Sequence, residues 1–381
     1  MPELNLKSPH QSSPAVSPPP ATGTGKPLSV TDLRKTYSGV TAVDTVSMEI
    51  AGGEFVTFLG SSGSGKTTTL MMIAGFCEPD SGRIVVGGRD VTRLAPQKRG
   101  LGFVFQQYLL FPHMTVWENV AFPLQLRGVP KAELRRRVGE TLEIAGLSAM
   151  ARRRPRELSG GQQQRVALCR ALVYRPPVIL MDEPLGALDK KLRDQLQTEI
   201  KRIQQELGLT VIYVTHDQEE ALVLSDRIAV MRDGRIDQFD TPRELFERPR
   251  TPFVADFLGA ANFLPGTVQQ QTPERTVVKL DTSGLLKARS QTGVEGARVR
   301  AAVQPGRLRL CPPGEGFCTG TVETVTYVGT LVRVTVRPAG DGDTGPVRLE
   351  LPAGRAPVIG EQVSLTADPD DVSVFAAEGG G

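Results

Sequence analysis

From about residue 28 to 240 the chain alternates short, continuous apolar runs with longer amphipathic stretches. Phe55-Val56-Thr57-Phe58-Leu59, Val178-Ile179-Leu180-Met181 and Val211-Ile212-Tyr213-Val214 are apolar or β-branched throughout. Strands covered on both faces read this way. Between them the period lengthens. After Pro130, Leu134, Val138, Thr141, Leu142 and Ala145 recur at helical spacing, while Arg135, Arg136, Arg137, Glu140 and Glu143 point elsewhere. Strand, helix, strand predicts an α/β layer fold with a parallel sheet. After about 262 the period becomes two. Val332, Val334 and Val336 alternate with Arg333, Thr335 and Arg337, and Val347, Leu349 and Leu351 with Arg348 and Glu350. With frequent Gly and Pro, this predicts a small all-β domain of short strands. The expected organisation is a tail at 1–27, an α/β domain at 28–240, a link at 241–262 and a β-domain at 263–377. A short helix is expected in the link at Pro242-Arg243-Glu244-Leu245-Phe246.

Composition narrows the class. With 39% hydrophobic and 23% charged residues over 381 positions, the chain can bury a real core, which excludes disorder throughout and a collagen-like or disulfide-stapled fold. Residues 1–27 are rich in Pro, Ser and Thr, without apolar periodicity or a signal-peptide core. They predict a disordered tail, with a binding arm as the alternative. No apolar run approaches the roughly 20 residues that span a bilayer. Forty-five basic against 42 acidic residues leave +3, no reason to expect nucleic acid as a partner. Cys77, Cys169, Cys311 and Cys318 form no Cys-x-x-Cys pair and sit near no spaced histidines, which argues against zinc. Four such thiols without a signal peptide fit a reducing cytoplasm.

The first chemical motif is Gly60-Ser61-Ser62-Gly63-Ser64-Gly65-Lys66-Thr67, which matches G-x-x-x-x-G-K-[ST]. Glycines let the backbone curl so that successive N–H groups face phosphate oxygens. A helix starting near Lys66 adds its positive end. Lys66 is placed to reach the β- and γ-phosphates of a nucleotide, and the Thr67 hydroxyl, followed by Thr68, to bind Mg²⁺. A plain Gly/Ser-rich loop is the bland alternative, but a buried strand precedes this one and a helix pattern follows it.

A second apolar strand ends in Asp182-Glu183. An acidic residue at a strand's carboxyl end suits Mg²⁺, so Asp182 is the expected metal ligand, directly or through water. Glu183 can orient and deprotonate an attacking water. Taken singly, the pair could equally cap the turn before Pro184. His216 follows the strand Val211–Val214, where a histidine can reach a γ-phosphate or simply cap the next helix.

Leu158-Ser159-Gly160-Gly161-Gln162 makes the chain recognisable: it resembles the signature of ABC ATPases. Physically, Ser159 can cap a helix running from Gln162, and Gly160 and Gly161 let backbone approach an anion at that helix end. The resemblance implies that this end serves the ATP of a second copy across a head-to-tail dimer. It also implies roles for other residues. Tyr37 matches the aromatic that stacks on adenine, and Gln106 the glutamine that touches Mg²⁺ and the attacking water. Asp189 matches the D-loop residue that contacts the opposite subunit, and His216 the switch histidine. The insertion between Gln106 and Leu158, about 107–158, resembles the helical subdomain of these ATPases. Residues 107–119 would then line a groove for a coupling helix of a polytopic membrane permease, with Leu110, Phe111 and Trp117 as anchors; read alone, these three are core. Arg152, Arg153, Arg154 and Arg156 read as a solvated loop.

The β-domain resembles the oligonucleotide-fold-like TOBE module of bacterial import ATPases, through Gly320-Thr321-Val322 and Tyr327-Val328-Gly329. Val303-Gln304-Pro305-Gly306 departs from that family's usual Arg-Pro-Glu. Glu183–Arg193, Phe253–Gly259 and Asn262-Phe263-Leu264 look most like spermidine/putrescine import ATPases. The resemblance therefore implies an ATP-hydrolysing, Mg²⁺-dependent subunit of an ABC importer, a homodimer peripheral on the cytoplasmic face of the cell membrane. It would serve membrane permeases and, indirectly, a solute-binding protein. Import of ferric iron, sulfate, osmolytes or sugars, and a soluble non-transport ABC ATPase, are the alternatives.

Overall fold

The computed structural model describes residues 25–106, 109–186, 190–282, 284–289, 295–340 and 345–377. These fall into two compact units. One holds the residues up to Val56 together with Thr67–Val214; the other holds Thr57–Lys66 together with the residues from Thr215 on. No helix among the described residues is long and apolar enough to cross a membrane.

The chain opens with β1 (Leu28–Tyr37) and β2 (Val40–Ile50), an antiparallel pair. The fully buried β3 (Phe55–Leu59) leads through a glycine-rich loop into α1 (Lys66–Ala74). β4 (Ser81–Val86) returns to pair with β1, and β5 (Arg89–Asp90) with β4. A single-turn α2 (Pro96–Arg99) precedes β6 (Gly102–Val104).

Three helices follow: α3 (Val116–Leu126), α4 (Lys131–Ile144) and α5 (Gly160–Leu172). They close on one apolar cluster that includes Val116, Val120, Leu124, Val138, Leu142, Val166 and Cys169, so the i, i+4, i+8 pattern seen after Pro130 is the inner face of α4. Leu110 and Trp117 pack, half-buried, against the same cluster. The fully buried Asn119 holds the preceding loop, accepting from the Phe111 N–H at 2.8 Å and donating to the Phe111, Met114 and Thr115 carbonyls. Arg152, Arg153, Arg154 and Arg156 are exposed, as a solvated loop should be.

β7 (Val178–Asp182) pairs in parallel with β6 on one side and with β8 (Thr210–Thr215) on the other. β7 and β8 are joined through α6 (Lys190–Leu207), which buries Leu196, Ile200 and Ile203. Parallel strands joined by a helix and buried over nearly their whole length are what their unbroken apolar text dictates.

In the other unit, α7 (Gln218–Leu224) precedes the antiparallel β9 (Arg227–Arg232) and β10 (Arg235–Asp240). The segment expected to be a link forms two helices, α8 (Pro242–Glu247) and α9 (Pro252–Gly259), each capped by a threonine side chain with proline in the first turn.

Ten further strands then build two five-stranded antiparallel sheets. The first, in order β13-β12-β11-β14-β20, uses β11 (Asn262–Gln271), β12 (Arg275–Leu280), β13 (Leu285–Arg289), β14 (Arg298–Val303) and β20 (Val372–Ala376). The second, β15-β19-β16-β17-β18, uses β15 (Leu308–Cys311), β16 (Cys318–Val328), β17 (Leu331–Pro338), β18 (Val347–Pro352) and β19 (Gln362–Ala367). Val332, Val334 and Val336 of β17 and Val347, Leu349 and Leu351 of β18 point into one core, and the arginines between them point out.

Candidate nucleotide site

The glycine-rich loop is held by what packs beneath it. Leu59, the last residue of β3, is fully buried with Ile228, Val230, Leu245, Val254 and Leu258. A Cβ at Gly60 would stand 2.4 Å from the Met231 carbonyl oxygen, so only glycine fits there. Gly63 and Gly65 take φ of +82° and +96°, which bends the loop back on itself. Ser61, Ser62 and Gly63 are exposed, while Ser64 is buried and its carbonyl accepts from the Gly234 N–H at 3.2 Å. The result is a cradle with its rim in solvent and its floor fixed.

Lys66 is 5% exposed, and Nζ donates to the Gly60 carbonyl at 2.8 Å and the Ser61 carbonyl at 2.7 Å. Ser64 Oγ lies 3.4 Å away. The ammonium therefore stands inside the loop's own curve, where anionic oxygens would meet it. Thr67, exposed, and Thr68, half-buried, continue the first turn of α1.

Thr67 Oγ1 donates to Asp182 Oδ1 at 3.1 Å. A hydroxyl and a carboxylate side by side are hard oxygen donors, the set Mg²⁺ takes, so the residues fit that ion. Gln106 Nε2 donates to Glu183 Oε2 at 3.4 Å, bringing the expected glutamine and glutamate together. Glu183 has φ of +42°, and its N–H donates to the Val214 carbonyl at 3.0 Å. A left-handed glutamate is a strained backbone that its surroundings must hold. His216 is exposed just beyond β8, and the next residue, Asp217, caps α7 by accepting from the Glu219 and Glu220 N–H groups.

The Leu158–Gln162 segment behaves as its residue types require. Leu158 is buried, while Ser159 and Gly160 are exposed. Ser159 Oγ accepts from the Gln162 N–H at 3.4 Å, and Gln162 Oε1 accepts from the Ser159 N–H at 3.0 Å, a reciprocal capping box. A Cβ at Gly161 would meet the Leu192 side chain at 2.7 Å, so this glycine lets α5 sit close to α6. The start of α5, at Ser159 and Gly160, faces solvent, which leaves a helix N-terminus open to an anion. Asp189 lies outside the described residues, as do Gln107 and Tyr108 of the expected groove. Phe111 is half-buried, with its ring 4.7 Å from that of Phe122.

Tyr37, at the end of β1, is 48% exposed, as a ring offered for stacking must be. Its hydroxyl lies 2.9 Å from Cys77 Sγ, and this bond raises the phenol above its ordinary pKa. Neither Cys77 nor its neighbour Asp80 carries a motif. Gln304, at the departure from the Arg-Pro-Glu pattern, donates to the Phe246 carbonyl at 3.1 Å. Its side chain thus ties the end of β14 to α8.

Comparison with known proteins gives three kinds of likeness. The ABC transporter family matches residues 43–186, and the TOBE domain family matches 301–375. The spermidine/putrescine import ATP-binding protein PotA of Rubrobacter xylanophilus is 50% identical over 323 residues, 84% of this chain and 85% of that protein. The Fe(3+) ions import ATP-binding protein FbpC of Agrobacterium fabrum is 48% identical over 315 residues, 82% of this chain and 89% of that one. Among solved structures, the dimeric post-hydrolysis state of the ATP-binding cassette MJ0796 bound to ADP and Pi is similar with a TM-score of 0.51 at 36% identity, over 57% of this chain and 99% of that one.

Proposed function

The chain belongs to the ABC transporters, as an import ATP-binding subunit that resembles PotA, and we propose that the solute it energises is a polyamine, spermidine or putrescine. The observation that carries the ATPase part is the pairing of Thr67 with Asp182 and of Gln106 with Glu183. The solute rests on the identity with PotA. The FbpC likeness makes ferric iron the second reading.

In the proposed cycle, the N–H groups of Gly60–Thr68 and the Lys66 ammonium bind the phosphates of ATP, and Tyr37 stacks on the adenine. Thr67, Gln106 and Asp182 hold Mg²⁺, whose charge, when bound, neutralises phosphate oxygens. Two copies close head to tail, so that each γ-phosphate also meets the partner copy's signature element, Leu158 to Gln162. Asp189 contacts the opposite copy. Glu183 accepts a proton from water as the water oxygen bonds to the γ-phosphorus and the bond to the ADP oxygen breaks. His216 steadies the γ-phosphate. Most of the catalysis is positioning and charge neutralisation. Closure moves the α3–α5 helices and, through the groove at 107–119, polytopic membrane permeases that receive solute from a binding protein. The subunit works peripherally at the cytoplasmic face of the membrane.

The test is uptake by cells lacking this gene. Complementation with the wild-type chain, and not with Lys66→Ala, is expected to restore entry of labelled spermidine or putrescine. Restored ferric-iron uptake with unchanged polyamine uptake would move the solute to the second reading. Restoration by Lys66→Ala would remove the phosphate-loop assignment.

A further inference from the structure

The end of β1 is tied to the segment that follows α1. Tyr37 Oη and Cys77 Sγ are hydrogen-bonded at 2.9 Å. Asp80 Oδ1 accepts from Lys35 Nζ at 2.9 Å and Oδ2 from the Thr36 N–H at 2.7 Å. The Asp80 N–H donates to the Arg34 carbonyl at 2.9 Å. Lys35 Nζ in turn stands over the Tyr37 ring, 5.4 Å from its centre. A ring this exposed would ordinarily sample several rotamers, and freezing it on binding costs affinity. Here its far end is tethered and the backbone just before it is held by Asp80.

The tether has its own support. α1 ends at Gly75, with φ of +86°, and the N–H groups of Gly75, Phe76 and Cys77 return to the Met71 carbonyl. Only one short helix therefore separates Thr67 from the tether, and a helix is stiff over about 13 Å. The Thr67 hydroxyl and the thiol that tethers the Tyr37 ring thus lie on either side of one short helix.

We propose that Cys77 and Asp80 are positioning residues, which fix the Tyr37 ring at a set reach from Thr67 so that a nucleotide is gripped by phosphate and base together. This rests on the reading of Tyr37 as the adenine-stacking residue. The thiol touches no substrate; it acts through the phenol. Asp80 acts through Lys35 and the backbone of Thr36.

The experiment measures binding of MgATP and of magnesium tripolyphosphate, which lacks a base, to the purified full-length chain, with KM and kcat for ATP alongside. Cys77→Ala is expected to weaken MgATP about two- to tenfold and to raise KM by the same factor, with kcat little changed. Tripolyphosphate affinity stays constant. Cys77→Ser restores ATP binding, because a hydroxyl keeps the bond. Asp80→Asn shifts ATP in the same direction as Cys77→Ala. In a Tyr37→Phe background, Cys77→Ala costs nothing further, since the bond is already gone. Equal weakening of both ligands by Cys77→Ala would make the residue a general support of α1 and overturn the proposal. So would a Cys77→Ala chain that binds ATP normally while Tyr37→Leu loses it. If Tyr37→Leu itself binds ATP as tightly as the wild type, the adenine reading fails instead, and the tether with it.

Discussion

Thr67 Oγ1 donates to Asp182 Oδ1 at 3.1 Å, so the first turn of α1 and the carboxyl end of β7 meet through one hydroxyl and one carboxylate. An amide at 182 can still accept that bond but carries no charge. Asp182→Asn is therefore expected to fold normally and to need at least about tenfold more Mg²⁺ for half-maximal ATP turnover. A magnesium titration of turnover checks this. An unchanged midpoint would detach Asp182 from the metal.

Glu183 Oε2 accepts from the Gln106 amide at 3.4 Å, and the Glu183 backbone is left-handed, with its own N–H bonded to the Val214 carbonyl. Glu183→Gln preserves shape and removes the base. ATP binding is expected to stay near the wild-type level while hydrolysis falls about 100-fold or more. With turnover stopped, ATP should hold two copies together on size exclusion. A variant that binds ATP and elutes as a single copy would count against the head-to-tail arrangement.

Much of this site was legible because its signals are local. Gly60–Thr67 carries its spacing within eight positions, and the Ser159/Gln162 capping box within four. β7 and β8 announce themselves because burial on both faces forbids any polar interruption. What was missed is long-range or was under-weighted. Tyr37 and Cys77 are forty positions apart, and nothing in either local text predicts the bond. α9 did carry its signal, Thr251 before Pro252, but its short apolar run has too few turns to show a period. Arg99, in Pro96-Gln97-Lys98-Arg99, reads as surface charge and is 5% exposed, because two of the four carbonyls that claim it lie more than twenty positions earlier.

Ser159 caps α5 and, in the proposed dimer, also faces the partner copy's γ-phosphate. The two roles separate experimentally. Ser159→Ala removes the box and is expected to cost about 1 kcal/mol in stability, seen as a lowered denaturation midpoint. Ser159→Asp restores a cap but adds a negative charge where an anion must approach. It should recover the stability and still lose ATP-driven dimerisation. Normal dimerisation of Ser159→Asp would mean that α5 does not face phosphate.

Arg99 closes the other end of α1. Nη1 donates to the Met72 carbonyl at 2.7 Å and the Ile73 carbonyl at 2.8 Å, Nε to the Leu94 carbonyl at 2.7 Å, and Nη2 to the Thr92 carbonyl at 2.8 Å. The last carbonyls of a helix have no partners within it, and a cation there also meets the negative end of the helix dipole. Burial pulls this guanidinium below its ordinary pKa, but the four bonds keep it in place. Arg99→Met fills similar volume and takes the side-chain donor from all four carbonyls, of which Met72 keeps the Gly75 N–H, at a cost of about 2–4 kcal/mol. Arg99→Lys cannot span the fork and should recover only part of it. Because α1 carries Thr67 at one end and leads into Cys77 at the other, loosening its C-terminus is also expected to weaken ATP binding. Chemical denaturation of both variants, with ATP titrations on the folded protein, tests the two effects together. A loss below about 0.5 kcal/mol in Arg99→Met, the scale of an ordinary surface change, would show that the carbonyls find water instead.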